Sequence, residues 1–149
     1  MSILEAKSIA ERLESLDPGN MAFLSGASAE QISRFENEHG ITLPSQYKDW
    51  LLFSDGGECF LPAGIQLFGV AHKPLIDIND NDRPNDNYII IGAFSNGDPI
   101  LCEKTGNQIS VFDHEYHENG MNGIIHPDEQ FDCFFDFMNS LYDLLEIGG

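Results

Sequence analysis

The stretch that decides the fold runs from Ile32 to Leu52 and reads ISRFENEHGITLPSQYKDWLL. Ser28 and Gln31 form a capping-box pattern just before it, which predicts a short helix that ends at Gly40. Pro44 predicts the first turn of another helix, where its missing N–H costs nothing. The side chains expected to face inward from these two helices are Ile32, Phe35, Tyr47, Trp50, Leu51 and Ser54.

Outward from this stretch, the pattern changes from helices to strands. A capping box and apolar residues at helical spacing predict a helix from Ser2 to Leu16, stopped by residues 17–20. After residue 58, β-branched runs are separated by the turn dipeptides Asn96-Gly97 and Gly106-Asn107, which predicts an antiparallel meander. The predicted strands are 65–68, 88–91, 99–103 and 109–112, with a bulge or close approach at Gly92.

An aromatic stripe predicts one last helix near the C-terminus. Its apolar residues recur at steps of three and four, and Asp128 and Glu129 are placed in its first turn. The stripe consists of Phe131, Phe134, Phe135, Met138, Leu141, Tyr142 and Leu145. Helices, then strands, then a helix predict a single α+β domain over residues 1–149: a mainly antiparallel sheet with N-terminal helices and a C-terminal helix packed on it.

The composition excludes several classes of function. Among 149 residues, 25 acidic and 7 basic side chains give a formal net charge of −18. This charge repels the phosphates of nucleic acids and anionic membrane surfaces, so neither is an expected partner. With 42% hydrophobic residues and 11 Phe, the chain is nevertheless too apolar to be a disordered acidic chain. A basic protein partner, a cation or solubility alone are the roles left for the charge.

The ends and the cysteines indicate a cytoplasmic protein. Residues 1–7 lack the basic and apolar regions of a secretory signal, and no apolar run approaches the roughly 20 residues that cross a bilayer. Cys59, Cys102 and Cys133 are odd in number, widely spaced and without a CxxC motif. We expect reduced thiols rather than a disulfide or zinc framework.

The sequence resembles the SUKH superfamily, which includes fungal Smi/Knr cell-wall-synthesis regulators and many bacterial immunity proteins. One block that carries the resemblance is 32–52 followed by Asp55-Gly56-Gly57-Glu58. The other is 88–94 followed by Asn96-Gly97-Asp98 and 109–114. The matching blocks and the closing helix occur in the expected order, over a family-like core at about residues 28–147.

The resemblance implies a protein-binding function and no catalytic residues. Bacterial members typically resemble inhibitors that bind a nuclease or deaminase toxin and occlude its active site. We therefore expect a non-catalytic immunity protein without cofactors, whose partner is a basic toxin domain. The alternative is a regulatory interaction module of the cell-wall-regulator type.

Three groups of acidic residues are the candidates for partner binding. Glu58 follows a turn, a polar loop is expected at 113–118, and the last predicted helix carries acids opposite its aromatic stripe. The full set is Glu58, Asp113, Glu115, Glu118, Asp132, Asp136 and Asp143. On that helix Asp132 and Asp136 would repel at i,i+4 spacing. Two interpretations of the helix acids stay open: a face that steers a basic toxin, or a solvated face.

Two segments contain residues of the types that bind metal ions. His114 and His117 are three positions apart rather than four, so the segment does not match H-E-x-x-H, and a polar loop is expected. The Asx-rich segment 77–87 has Asp82 and Tyr88 where a calcium loop needs Gly and Glu, so a surface turn is expected. A metal-dependent hydrolase that uses the two histidines is the distant alternative function.

Overall fold

The computed structural model describes residues 3–61, 64–72, 74–77, 87–104, 106–118 and 121–145. Four helices and six strands lie in this part of the chain. The helices are α1 (Ile3–Leu16), α2 (Ala29–His39), α3 (Ser45–Phe53) and α4 (Phe134–Leu144). The strands are β1 (Gly57–Cys59), β2 (Ile65–Leu67), β3 (Tyr88–Phe94), β4 (Pro99–Glu103), β5 (Ile109–Glu118) and β6 (Met121–Phe131). The predicted α+β class, with N-terminal helices and a C-terminal helix, is confirmed.

The six strands form one sheet in which spatial order equals sequence order. Every neighbouring pair is antiparallel, so the predicted meander is confirmed and extends to all six strands. The register between β3 and β4 shifts between Ile90 and Gly92. A Cβ on Gly92 would lie 2.6 Å from the backbone oxygen of Gln66, so the position needs glycine for a close approach to β2.

The ends of α2 follow the sequence signals. The Ser28 side chain accepts a hydrogen bond from the Gln31 N–H at 3.0 Å, and the Ser28 N–H donates to Gln31 Oε1 at 2.9 Å. Gly40 ends the helix in the left-handed region, at φ 64°. Both predicted caps are confirmed. Pro44 lies one position earlier than expected, as the residue that precedes the first turn of α3. The capping box predicted at Ser2 lies outside the described residues.

A cluster of aromatic rings joins the helices to the sheet. The ring centroids of Tyr47 and Phe134 are 4.9 Å apart, and those of Trp50 and Phe134 are 5.8 Å apart. The buried Tyr47 hydroxyl donates hydrogen bonds to the carbonyl oxygens of Phe68 and Ile91, so its polar end is satisfied inside the core. The inward-facing positions predicted on α2 and α3 are all buried.

The prediction for the C-terminal third was wrong in one respect, because it missed β6. Residues 113–118 continue β5 and are not a loop. Asp128 and Glu129 belong to β6 rather than to the first turn of a helix. Since Glu118 is paired with Met121, the intervening Asn-Gly dipeptide was a hairpin signal. Phe131 extended the apparent helical period backwards, whereas α4 begins only at Phe134.

Candidate functional site

Glu58 is presented from a strand that is fixed on both sides. On one side β1 pairs with β2, where Glu58 lies opposite Gln66. On the other side the backbone of Glu58 exchanges two hydrogen bonds with Ala22, both 2.8 Å long. The Gln66 amide donates to Glu58 Oε1 at 3.3 Å, and the Glu58 side chain is half-buried. The carboxylate therefore stands on a rigid backbone with acceptor capacity left over.

Two shallow cavities flank the Glu58–Gln66 pair. The first, of about 220 Å³, is also lined by Leu24, His72 and Pro74. The second, of about 260 Å³, extends along β2 and β3 on the other side of Glu58. We call these two cavities together the Glu58 groove, defined by Leu24, Glu58, Gln66, His72, Pro74 and Phe94.

A buried carboxylate holds one wall of the Glu58 groove. Asp55 has no exposed surface, and its Oδ1 accepts a hydrogen bond from the Val70 N–H at 2.7 Å. Its Oδ2 accepts from the N–H groups of Ala71 and His72 at 2.9 and 2.7 Å. The His72 ring lies against the same oxygen, with Nδ1 at 2.9 Å. Three backbone N–H donors and the adjacent His72 ring satisfy the buried carboxylate, and they fix residues 70–72 beside Glu58.

The packing behind this wall leaves no room for a larger residue. A Cβ on Gly69 would lie 2.6 Å from Asp55 Oδ1 and 2.6 Å from the Asp55 carbonyl oxygen. The chain can therefore pass close enough to the carboxylate only where residue 69 is glycine. As a result, Asp55 fixes the position of the backbone in this wall of the groove.

Exposed apolar side chains lie at the rim of the groove. The large hydrophobic side chains that are exposed in the described part of the chain are Ile3, Leu4, Leu24 and Leu75. Leu24 lines the groove, and Leu75 directly follows the groove residue Pro74. Each of these two leucines is 39% exposed. Leu24 therefore adds exposed apolar surface to the groove beside the fixed carboxylate of Glu58.

The structure separates the predicted partner-binding residues instead of gathering them. Glu58 is on the edge strand β1, whereas the half-buried Asp113 is on β5, four strands or about 19 Å away across the sheet. The remaining predicted acids on the described surface, Asp132, Asp136 and Asp143, are exposed. The side chains of Glu115 and Glu118 lie outside the described part of the structure.

One predicted feature of the C-terminal acids was wrong. Asp132 precedes α4, so Asp132 and Asp136 are not an i,i+4 pair on one helix. Asp136 and Asp143 do lie on α4, opposite its buried residues Phe137 and Leu141. The exposed helix acids are therefore two rather than three.

Sequence reasoning missed Asp55 and His72. In the sequence, Asp55 is notable only as the first residue of the Asp55-Gly56-Gly57-Glu58 block that carries the resemblance. Its hydrogen-bond partners follow 15 to 17 residues later, without any local motif. The sequence shows only that Asp55 lies between an apolar helix end and two glycines. Because acidic residues are seldom buried, this position gives no reason to expect a buried carboxylate.

The metal alternative gains no support from the described side chains, among which no group of three His, Cys, Asp or Glu could hold an ion. The side chains of His114 and His117 lie outside this set, as does the segment 78–86. None of the helices traced in the structure is long and apolar enough to cross a membrane.

Burial controls the acid–base behaviour of three core side chains. Burial raises the pKa of Cys59 to about 12, with Glu58 adding to the shift. Burial also raises the pKa of Cys102 to about 12, with Glu103 adding. The pKa of Tyr47 is raised well above its usual range, first by burial and then by Asp55. All three groups are therefore kept protonated in the folded protein.

These shifts predict a loss of stability at alkaline pH. An unfolded thiol titrates near pH 9.0, so above this pH the unfolded state loses protons that the folded state keeps. The contribution of Cys59 and Cys102 to the free energy of unfolding should thus be constant below about pH 9 and fall steadily toward pH 12. Urea unfolding at a series of pH values measures this slope. Replacing Cys59 and Cys102 with Ala should reduce this slope, since both buried thiols are then gone.

Comparison with known proteins agrees with the fold and its sequence signals. Residues 26–140 match the model of the SMI1 / KNR4 family (SUKH-1). A protein of Bacillus subtilis (strain 168), described as "Uncharacterized protein YnaB", is 26% identical over 127 residues, which cover 85% of each chain. The matched region includes α2, α3, the whole sheet and the first part of α4. The chain therefore belongs to the SMI1 / KNR4 family (SUKH-1).

Proposed function

We propose that this chain is a non-catalytic immunity protein that acts in the cytoplasm. It binds a toxin domain of the nuclease or deaminase class and occludes its active site. The observation that carries the proposal is the Glu58 groove, where a fixed carboxylate lies beside exposed apolar side chains. Membership of the SMI1 / KNR4 family supports a protein-binding role, and we propose that residues 1–149 act as one domain.

In this proposal the groove supplies the affinity. Leu24 and Leu75 lose exposed apolar surface when the partner docks, and removing this surface from water favours association. Glu58 accepts a hydrogen bond from a lysine or arginine of the partner, while Gln66 keeps its carboxylate oriented. Because Asp55 already fixes residues 70–72, little ordering entropy is lost on binding.

The overall charge has a different role, which is to accelerate association. A toxin that holds nucleic-acid phosphates presents a basic cleft, and a chain with a net charge of −18 attracts that cleft over several ångströms. The exposed Asp132, Asp136 and Asp143 contribute to this attraction. Replacing all three with Asn should slow association at low salt and leave dissociation nearly unchanged.

If the proposal is correct, a toxin gene should lie beside this one, and co-expression with that toxin tests the proposal. Wild-type chain should rescue cells from the toxin and bind the purified toxin. The double variant Leu24→Ala/Glu58→Gln should weaken binding by about a hundredfold and lose the rescue. The matched control is Leu4→Ala/Glu11→Gln, which removes an exposed leucine and an exposed acid from α1, away from the groove.

Each part of the proposal can fail separately. Equal toxin affinity of both double variants would place the interface elsewhere and reject the groove. Failure of the wild-type chain to bind or neutralise the adjacent toxin would reject the immunity function itself. Urea unfolding of both variants shows that any difference in binding does not come from a loss of folding.

A further inference from the structure

A second concave site lies at the other end of α3 from Asp55. It is a cavity of about 540 Å³, larger than either cavity of the Glu58 groove. The segment before and at the start of α3 forms one side, and Lys104, Gly106 and Asn107 form the other. The residues that matter for its chemistry are Thr42, Pro44, Ser45, Lys48, Lys104 and Asn107, and we call this site the lysine cleft.

The charged side chains that line the lysine cleft are both basic, whereas the molecule as a whole is strongly acidic. None of its lining residues is acidic, although the chain has 25 acids. Five of the seven basic residues lie in the described part of the chain, and two of these five, Lys48 and Lys104, line this one cavity. They are 56 positions apart in sequence, so the fold and not a local run of lysines brings them together.

The two lysines differ in how far their charge is already compensated. Lys48 Nζ lies 3.4 Å from Glu36 Oε2, and the same oxygen accepts a hydrogen bond from the Leu43 N–H at 2.7 Å. Glu36 is thus shared between two donors. Among the described residues, Lys104 has no ion-pair partner. Lys104 therefore brings a positive charge that no described carboxylate pairs with, while the side chain of Glu103 lies against the neighbouring Gly106.

The other walls of the cleft suit the body of a small molecule. Ile41, Leu43 and Pro44 provide an apolar side, while Thr42, Ser45 and Asn107 provide hydroxyl and amide groups. The volume lies within the roughly 300–1,000 Å³ typical of small-ligand sites, which combine apolar walls with a few polar groups. Ammonium groups of lysine are compact charges that commonly bind phosphate.

We propose that the lysine cleft binds a small phosphate ester, with the phosphate between Lys48 and Lys104 and an apolar or aromatic body against Ile41 and Pro44. The net charge of −18 does not prevent this, because at physiological salt charges more than about 8 Å away are largely screened. The site is independent of the proposed toxin contact. The nine residues of α3 separate it from Asp55 by about 13 Å along the helix axis.

Calorimetric titration of the full chain with adenosine monophosphate tests this inference, with adenosine and inorganic phosphate as partial probes. Adenosine monophosphate should bind, and each partial probe should bind at least about tenfold more weakly, because it makes only one of the two contacts. The Lys48→Gln/Lys104→Gln variant should lose at least about tenfold in affinity. The matched control is Lys7→Gln/Arg34→Gln, which removes two exposed positive charges outside the cleft and should change affinity by less than about twofold.

The single variant Lys104→Gln separates a loss of binding from a loss of stability, because Lys48→Gln also breaks the contact between Lys48 and Glu36. It should lose affinity for adenosine monophosphate with an unchanged urea midpoint. No heat of binding for adenosine monophosphate at millimolar concentration would overturn the proposal. Equal losses in the cleft variant and the control variant would show attraction by overall charge only. If inorganic phosphate bound with the same affinity as adenosine monophosphate, the proposed role of the apolar wall would be wrong.

Discussion

Replacing Asp55 with Asn is expected to lower the free energy of unfolding by about 3 kcal/mol. The amide has one acceptor oxygen instead of two, so its NH₂ group would face N–H donors of Ala71 and His72 inside the protein. At least one buried N–H donor would lose its acceptor. The remaining hydrogen bonds would also lose the negative charge that strengthens them. Equilibrium unfolding in urea, monitored by the fluorescence of Trp50, measures the change.

His72→Ala is the matched control for Asp55→Asn. It removes the ring contact of 2.9 Å but keeps the three backbone donors on the carboxylate. Because the side chain of His72 is 48% exposed, its loss should cost only about 1 kcal/mol. Equal destabilisation by both variants would contradict the assignment of Asp55 as the residue that fixes this loop.

Trp50→Ala is expected to be the most damaging single change in the core, with a loss of about 4 kcal/mol. The ring has no exposed surface and contacts Phe23, Phe53 and Phe134. Its Nε1–H donates to the carbonyl oxygen of Gly56 at 3.0 Å. Truncation would leave a cavity at the junction of α3, α4 and the sheet. Thermal unfolding followed by circular dichroism measures the loss.

Trp50→Phe separates packing from the hydrogen bond. Phenylalanine refills most of the volume but cannot donate to Gly56, whose carbonyl oxygen keeps a 2.9 Å hydrogen bond from Ser54 Oγ. We expect a loss of about 2 kcal/mol, half that of Trp50→Ala. If both variants were equally unstable, the hydrogen bond rather than the packing would be the dominant contribution of Trp50.

Local sequence signals were sufficient to predict the elements whose signals lie within a few adjacent residues. The caps at Ser28 and Gly40 and the strand Pro99–Glu103 lie where the sequence placed them. In each case, the information is held in a few adjacent residues, as a capping box, a positive-φ glycine or a turn dipeptide. The family resemblance and the fold class were predicted on the same basis and are confirmed.

The sequence-based predictions were wrong or incomplete in two situations. Either a pattern fitted both a helix and a strand, or a contact joined residues far apart in sequence. Phe131 fits a helical period with Phe134 and Phe135, yet it lies on β6, opposite Ile109. Strand pairing with β5 outweighs the local period there. Likewise, nothing near Asp55 indicates a partner at Val70 or His72, because that contact exists only when the loop after β2 folds back.

The aromatic cluster also has a consequence for synthesis on the ribosome. The meander pairs each strand with its sequence neighbour, so strands can associate as they emerge. The core is nevertheless incomplete without Phe134 and Phe137, which come from α4 and are made after all six strands. Until that helix is released, Tyr47 and Trp50 lack the ring that covers them. The nascent chain must therefore hold an exposed aromatic surface after the sheet has been made and until α4 has left the ribosome.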